Sequence, residues 1–152
     1  MQFFTYFLVS TISFSGLIFG MITTFIAKDE LKQGKKYFIA LQNVIVALST
    51  GILAYSYKID LYFVTILTLL VFFVLYLIEN VKKSYLIYPL FAIIFYISSG
   101  ITSFFVVESA LIFLYGFPTS SLLIRKKKDI PLVILNHIPF LIIANLLPLV
   151  AL

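Results

Sequence analysis

Apolar runs of about 20 residues, divided into pairs by three short clusters of lysine and arginine, are the feature that most limits what this chain can become. The clusters are Lys28 to Lys36, Lys82-Lys83 and Arg125 to Lys128. They hold ten of the eleven Lys and Arg residues, and Lys58 is the remaining one. Lysine and arginine concentrate in the cytoplasmic loops of membrane proteins, so the pattern reads as spans joined on one side by basic loops. A chain inside a bilayer must satisfy its own backbone and is therefore helical or a closed barrel. Barrel strands alternate in polarity over about 10 residues. These runs are continuously apolar, which selects helices.

The composition leaves little else. The chain of 152 residues is 62% hydrophobic and 11% charged, against about 25% charged in soluble domains. A water-soluble fold of this length cannot hide that much apolar surface. The net charge of +5 sits in the loops, where anionic lipid headgroups are the default partner. Lys28, Lys35, Lys36, Lys82, Lys83, Arg125, Lys126, Lys127 and Lys128 are the expected headgroup contacts, and nucleic acid is not an expected partner. With no cysteine, disulfides, thiolate nucleophiles, Fe–S clusters and Cys-type zinc sites are excluded. A single histidine, His137, does not make a multi-His metal or haem site within one chain. No cofactor is expected.

The reading is an all-α integral membrane protein, a bundle of six transmembrane helices in three hairpins. The expected spans are about 3–26, 37–55, 61–78, 85–104, 108–124 and 130–150. An even count puts all three basic clusters on the cytoplasmic side and both termini on the other. The first span reads as retained, because positive charge follows it and no A-x-A-like site ends it. Gly16 and Gly20 form a GxxxG, which lets another helix backbone come close. Gly34 is a candidate C-cap for a short helix within the first basic loop. Span 3 has little polar content and reads as the most lipid-exposed. Tyr37, Tyr85, Tyr55, Tyr57 and Tyr62 flank the expected loops, as interfacial aromatic belts do.

Polar residues inside spans are the candidates for function. Gln42, Asn43, Asn136 and His137 each lie about 8–11 Å from the inner boundary at a helical rise of about 1.5 Å per residue. They form one layer if spans 2 and 6 are neighbours. That layer reads either as interhelical hydrogen bonding, worth about 0.6 kcal/mol per bond, or as a ligand or proton site. Asn145 and Glu108 form a second layer nearer the outer face. With the turn between spans 4 and 5 near residue 108, Glu108 is a solvated turn residue. With the turn at Ser98-Ser99-Gly100, it lies about 8–12 Å inside span 5 and becomes a carboxyl for cation or proton coupling. The segments around Gly116 and Pro118 and around Pro139 are expected to interrupt spans 5 and 6, as structural kinks or as broken helices lining a cavity.

Walker, GxGxxG, GxSxG and HExxH signatures are absent, and no enzyme activity is expected. The leading expectation is an accessory or scaffold subunit of a larger membrane complex, or a self-associating one. The alternative is a small transporter or channel for a solute, ion or proton. The richness in Lys, Ile, Phe and Tyr points to a prokaryotic plasma membrane.

Overall fold

The computed structural model describes residues 3–26, 28–78, 84–124 and 126–150. All regular structure among them is helical: α1 (Phe3–Ile26), α2 (Lys28–Ser56), α3 (Leu61–Leu77), α4 (Ser84–Ser98), α5 (Thr102–Leu123), α6 (Ile130–His137) and α7 (Pro139–Val150). A single 3-10 turn, Lys127–Asp129, precedes α6. Four helical stretches are long and apolar enough to cross a membrane: Phe3–Ile26, Gly34–Ser56, Thr102–Leu123 and Lys127–Val150, which joins α6 and α7. α3 and α4 are shorter apolar helices of 17 and 15 residues.

Three boundaries differ from the sequence expectation. Lys28 to Lys36 is not a loop ended by Gly34, because α2 runs through it. Lys, Glu, Leu and Gln are good helix formers, and one interior glycine costs only about 1 kcal/mol. The turn between spans 4 and 5 lies at Ser99 to Ile101, where Ser99 and Ile101 donate to the carbonyls of Tyr96 and Ser98. It does not lie between Phe104 and Glu108. Third, α5 passes through Gly116 and Pro118 without interruption. Proline removes one backbone donor, and the serine and threonine hydroxyls that follow take up neighbouring carbonyls. The last span does break, at Ile138 immediately before Pro139.

The tightest seam joins α1 to α5, and glycine makes it possible. A Cβ on Gly20 would lie 2.7 Å from the Phe117 Cα and 2.8 Å from the Gly116 carbonyl oxygen. One on Gly16 would overlap the Phe113 carbonyl, and one on Gly116 would overlap the backbone of Gly16 and Leu17. Backbone contact of this kind brings in a cross-helix bond, from Ser120 Oγ to the Leu17 carbonyl at 2.5 Å. Gly116 therefore serves close approach rather than a kink.

Contact pairs fix the helix directions. Tyr6 stacks on Phe105 and Thr24 bonds Ser121, so α1 and α5 run parallel. Gln42 bonds Thr119 and Ser49 bonds Glu108, so α2 runs against α5. Phe95 meets Phe105 while Tyr88 meets Tyr115, so α4 also opposes α5. Tyr6 bonds the Ala144 carbonyl and Phe14 stacks on Phe140, which makes α7 antiparallel to α1. The ends of α1, α3 and α5 and the beginnings of α2, α4 and α6 thus share one end of the bundle. Exposed Lys35, Lys36, Lys126, Lys127 and Lys128 lie there. Lys82, Lys83, Arg125 and the side chain of Lys28 fall outside the described residues.

Aromatic rings fill the centre. Tyr88, Phe91, Phe95, Phe105, Tyr115 and Phe140 are fully buried or nearly so and contact one another edge-on or tilted. α3 stands outside this core. It packs on α2, and Val64 is its one buried residue. The α2–α3 turn is held locally: Lys58 takes a left-handed φ of 59°, and Asp60 Oδ1 accepts from the Tyr62 backbone N–H at 2.8 Å. Asp60→Ala removes that N-cap. It is expected to lower unfolding free energy by about 1 kcal/mol in a detergent denaturation series. Unchanged stability would show that α3 is held by its contact with α2 alone.

Candidate functional site

Residues four, seven and eleven positions apart share one face of a helix. On α5 that face carries Glu108, Ile112, Tyr115 and Thr119, all 0 % exposed. It turns toward α2 and α4 and holds two polar stations with an isoleucine between them.

The first station is Glu108 with Ser49 of α2. Ser49 Oγ donates to Glu108 Oε2 at 2.5 Å. Glu108 Oε1 is buried and has no hydrogen-bond partner among the described residues. With α5 beginning at Thr102, the carboxyl sits about 9 Å into the helix. It is not the solvated turn residue that a later break would have produced. Asn145 is not beside it. That amide lies on α7, where Nδ2 donates to Ser10 Oγ at 3.1 Å and to the Leu141 carbonyl at 2.8 Å. The expected outer layer is therefore two separate contacts.

The second station lies toward the basic end. Gln42 Nε2 donates to Thr119 Oγ1 at 2.8 Å, and that hydroxyl donates to the Tyr115 carbonyl at 2.7 Å. The Tyr115 ring lies 5.6 Å from that of Tyr88, centre to centre, and Tyr88 lies 4.5 Å from His137. His137 Nδ1 is 2.6 Å from the Val133 carbonyl, which can only accept, so Nδ1 carries the proton. In the neutral ring Nε2 then accepts from Ser84 Oγ at 3.3 Å. Gln42 Oε1, Tyr88 Oη and Tyr115 Oη are buried and have no hydrogen bond among the described residues. Buried polar atoms without a hydrogen bond are places where a water or a ligand can bind.

The expected single layer was conditional on spans 2 and 6 being neighbours. α2 packs on α3 and α5, whereas α6 packs on α4 and α7. Among the described residues α2 and α6 do not pack as a pair, and Gln42 reaches His137 by way of Thr119, Tyr115 and Tyr88. Asn43 is fully buried on α2 beside Gln42. Asn136 is half-buried and stands apart from the bonds of the cluster. Ser49, Ser84, Tyr88, Tyr115 and Thr119 were missed as site residues. The signal for Tyr115 and Thr119 was their helical spacing from Glu108.

A carboxyl, an amide, hydroxyls and an imidazole can accept, donate and exchange protons, and carboxyl oxygens can ligate a hard cation. No three His, Asp or Glu residues cluster as a metal site among the described residues. No family model, no curated protein and no solved structure matches this chain. Function is therefore argued from the site alone.

Proposed function

We propose that this chain is a six-span protein of a prokaryotic plasma membrane that moves a small cation or a proton along the α2–α5 seam. The observation that carries this reading is Glu108, a carboxyl with no exposed surface and one oxygen without a partner among the described residues. Ionisable groups inside a membrane are costly, and where they persist they mark ion paths and proton relays. The inner station supplies a second polar stop on the same helix face. Alternating helix directions and exposed lysines at one end support both termini lying on the non-cytoplasmic side, with the basic loops against anionic headgroups.

The sidedness has a direct test, since the chain has no native cysteine. Single variants Gln33→Cys and Lys127→Cys should react with an impermeant maleimide from the cytoplasmic side only. Labelling of the two from opposite sides would overturn the six-span arrangement.

Transport is tested on the purified chain in liposomes. Glu108→Leu should reduce ion flux to that of empty vesicles, and His137→Leu should impair it while leaving folding intact. Wild-type flux in both variants would remove the two stations from any transport role.

One observation favours a second reading, an accessory subunit of a larger complex. α3 packs on α2 and leaves apolar side chains such as Phe63, Leu69, Phe73 and Leu77 more than half exposed. Under this reading the protein leaves the membrane in mild detergent only with other polypeptides, and His137→Leu alters assembly rather than flux. Isolation as a stable, ion-conducting single species would exclude it.

A further inference from the structure

We propose that the species bound at Glu108 is a proton rather than a metal cation, held at Oε1 while Ser49 positions the carboxyl through Oε2. The proposal rests on the transport reading and names its substrate.

The donor set decides between the two. Hard cations such as calcium and magnesium are held by about six or more oxygens. Glu108 and Ser49 offer two carboxyl oxygens and one hydroxyl. The adjacent Ser109 hydroxyl is committed to the Phe105 carbonyl at 2.6 Å. A cation here would keep half its shell unfilled in an apolar setting. A proton requires one lone pair, and Oε1 provides a buried, unpartnered one.

The arrangement also separates the proton from the anchor. Ser49 donates to Oε2, so adding a proton to Oε1 leaves that hydrogen bond in place. Binding adds one proton and cancels one negative charge, and release passes the proton to water and restores the negative charge.

Among the described residues, the one side-chain partner of the carboxyl is the neutral hydroxyl of Ser49. The elements packed on α5 are α1, α2 and α4. Neither α1 nor α4 contains Lys, Arg, Asp or Glu. Their ionisable side chains are tyrosines: Tyr6 on α1, and Tyr85, Tyr88 and Tyr96 on α4. On α2 the nearest lysine is Lys36, thirteen residues from Ser49 and so about 20 Å away along the axis; Lys58 in the following turn is nine residues on, about 14 Å away along the axis, and points into solvent as an exposed residue. Tyr37 and Tyr55 are the tyrosines of α2. Without a cationic partner, a bound proton is what makes this carboxyl neutral.

Dicyclohexylcarbodiimide tests the proposal on the full chain in liposomes. It is apolar and adds to protonated carboxyls: the proton passes to a carbodiimide nitrogen as the carboxyl oxygen bonds the central carbon. Mass spectrometry should find the adduct on Glu108, with labelling that declines as pH rises. Sodium or potassium chloride should protect no better than choline chloride at equal ionic strength. An imposed pH gradient should drive dye-reported proton entry that the reagent blocks and that Glu108→Gln lacks. Protection by sodium or potassium would overturn the proton assignment and leave the transport reading standing. No adduct at any pH would overturn the assignment as well. An adduct without flux of any ion would defeat the transport reading while keeping the proton site.

Discussion

Leucine at position 116 is expected to stop this protein from folding stably in a membrane. Gly116 lies against the backbone of Gly16 and Leu17, and Gly20 lies against Gly116 and Phe117. Side chains can rotate away from an intruding methyl, but a helix backbone cannot. Ordinary overpacking costs about 1–3 kcal/mol, and a collision with backbone belongs at or beyond the top of that range. It would separate α1 from α5 and break the bond from Ser120 to the Leu17 carbonyl. Against a total stability of about 5–15 kcal/mol, that is a large share. Gly100→Ala is the matched control, because its Cβ would meet nothing closer than the Ile97 carbonyl at 3.8 Å. Thermal unfolding in detergent should rank Gly100→Ala near wild type, Gly20→Ala lower, and Gly116→Leu lowest or absent from the membrane fraction. Equal melting of Gly100→Ala and Gly116→Leu would mean that α1 and α5 do not meet in this way.

The fold class was legible because hydrocarbon leaves a chain so few choices. Continuous apolar runs had to be helices, whereas the first lysine cluster belongs to helix α2 and not to a loop. What the sequence did not carry was partnership. A GxxxG marks a helix that can be approached without naming what approaches it, and the complementary glycine, Gly116, looked like a kink because Pro118 stands beside it. Glu108 misled in the opposite direction. A carboxyl in an apolar run resembles a water boundary, which favours a turn near it over one at Ser99-Gly100. Its neutral partner, Ser49, lies 59 residues away and has no local signature. Apolar runs alone do not separate a core tyrosine from an interfacial one, and Tyr88 and Tyr115 are fully buried. Their helical spacing from other polar residues separates them from a belt. Tyr115 and Thr119 repeat the face of Glu108, whereas Tyr55, Tyr57 and Tyr62 are exposed around a turn.

That shared face leads to the second large effect, at Ile112. The residue is fully buried between Glu108 and Tyr115, about 6 Å along the axis from one and about 4.5 Å from the other. An apolar space between two polar stations stays dry, so protons do not pass freely while the isoleucine fills it. Ile112→Ser removes the filling and leaves room for a water, whose share of liquid volume is about 30 Å³. The new hydroxyl can bond the Glu108 carbonyl one turn back, which limits the cost of burying it. Stability should fall by about 2–5 kcal/mol, as for other large-to-small core changes. Passive proton leak through liposomes should rise about tenfold, the effect of lowering a barrier by about 1.4 kcal/mol. Ile112→Val is the control: it keeps the space apolar, costs about 0.5–1.5 kcal/mol and should not leak. Glu108→Gln added to Ile112→Ser should abolish the leak, because the amide cannot shuttle a proton from the outer station. A leak that survives the double change would place the water path elsewhere than this face of α5. The two polar stations would then be separate hydrogen-bonded contacts rather than stops on one route.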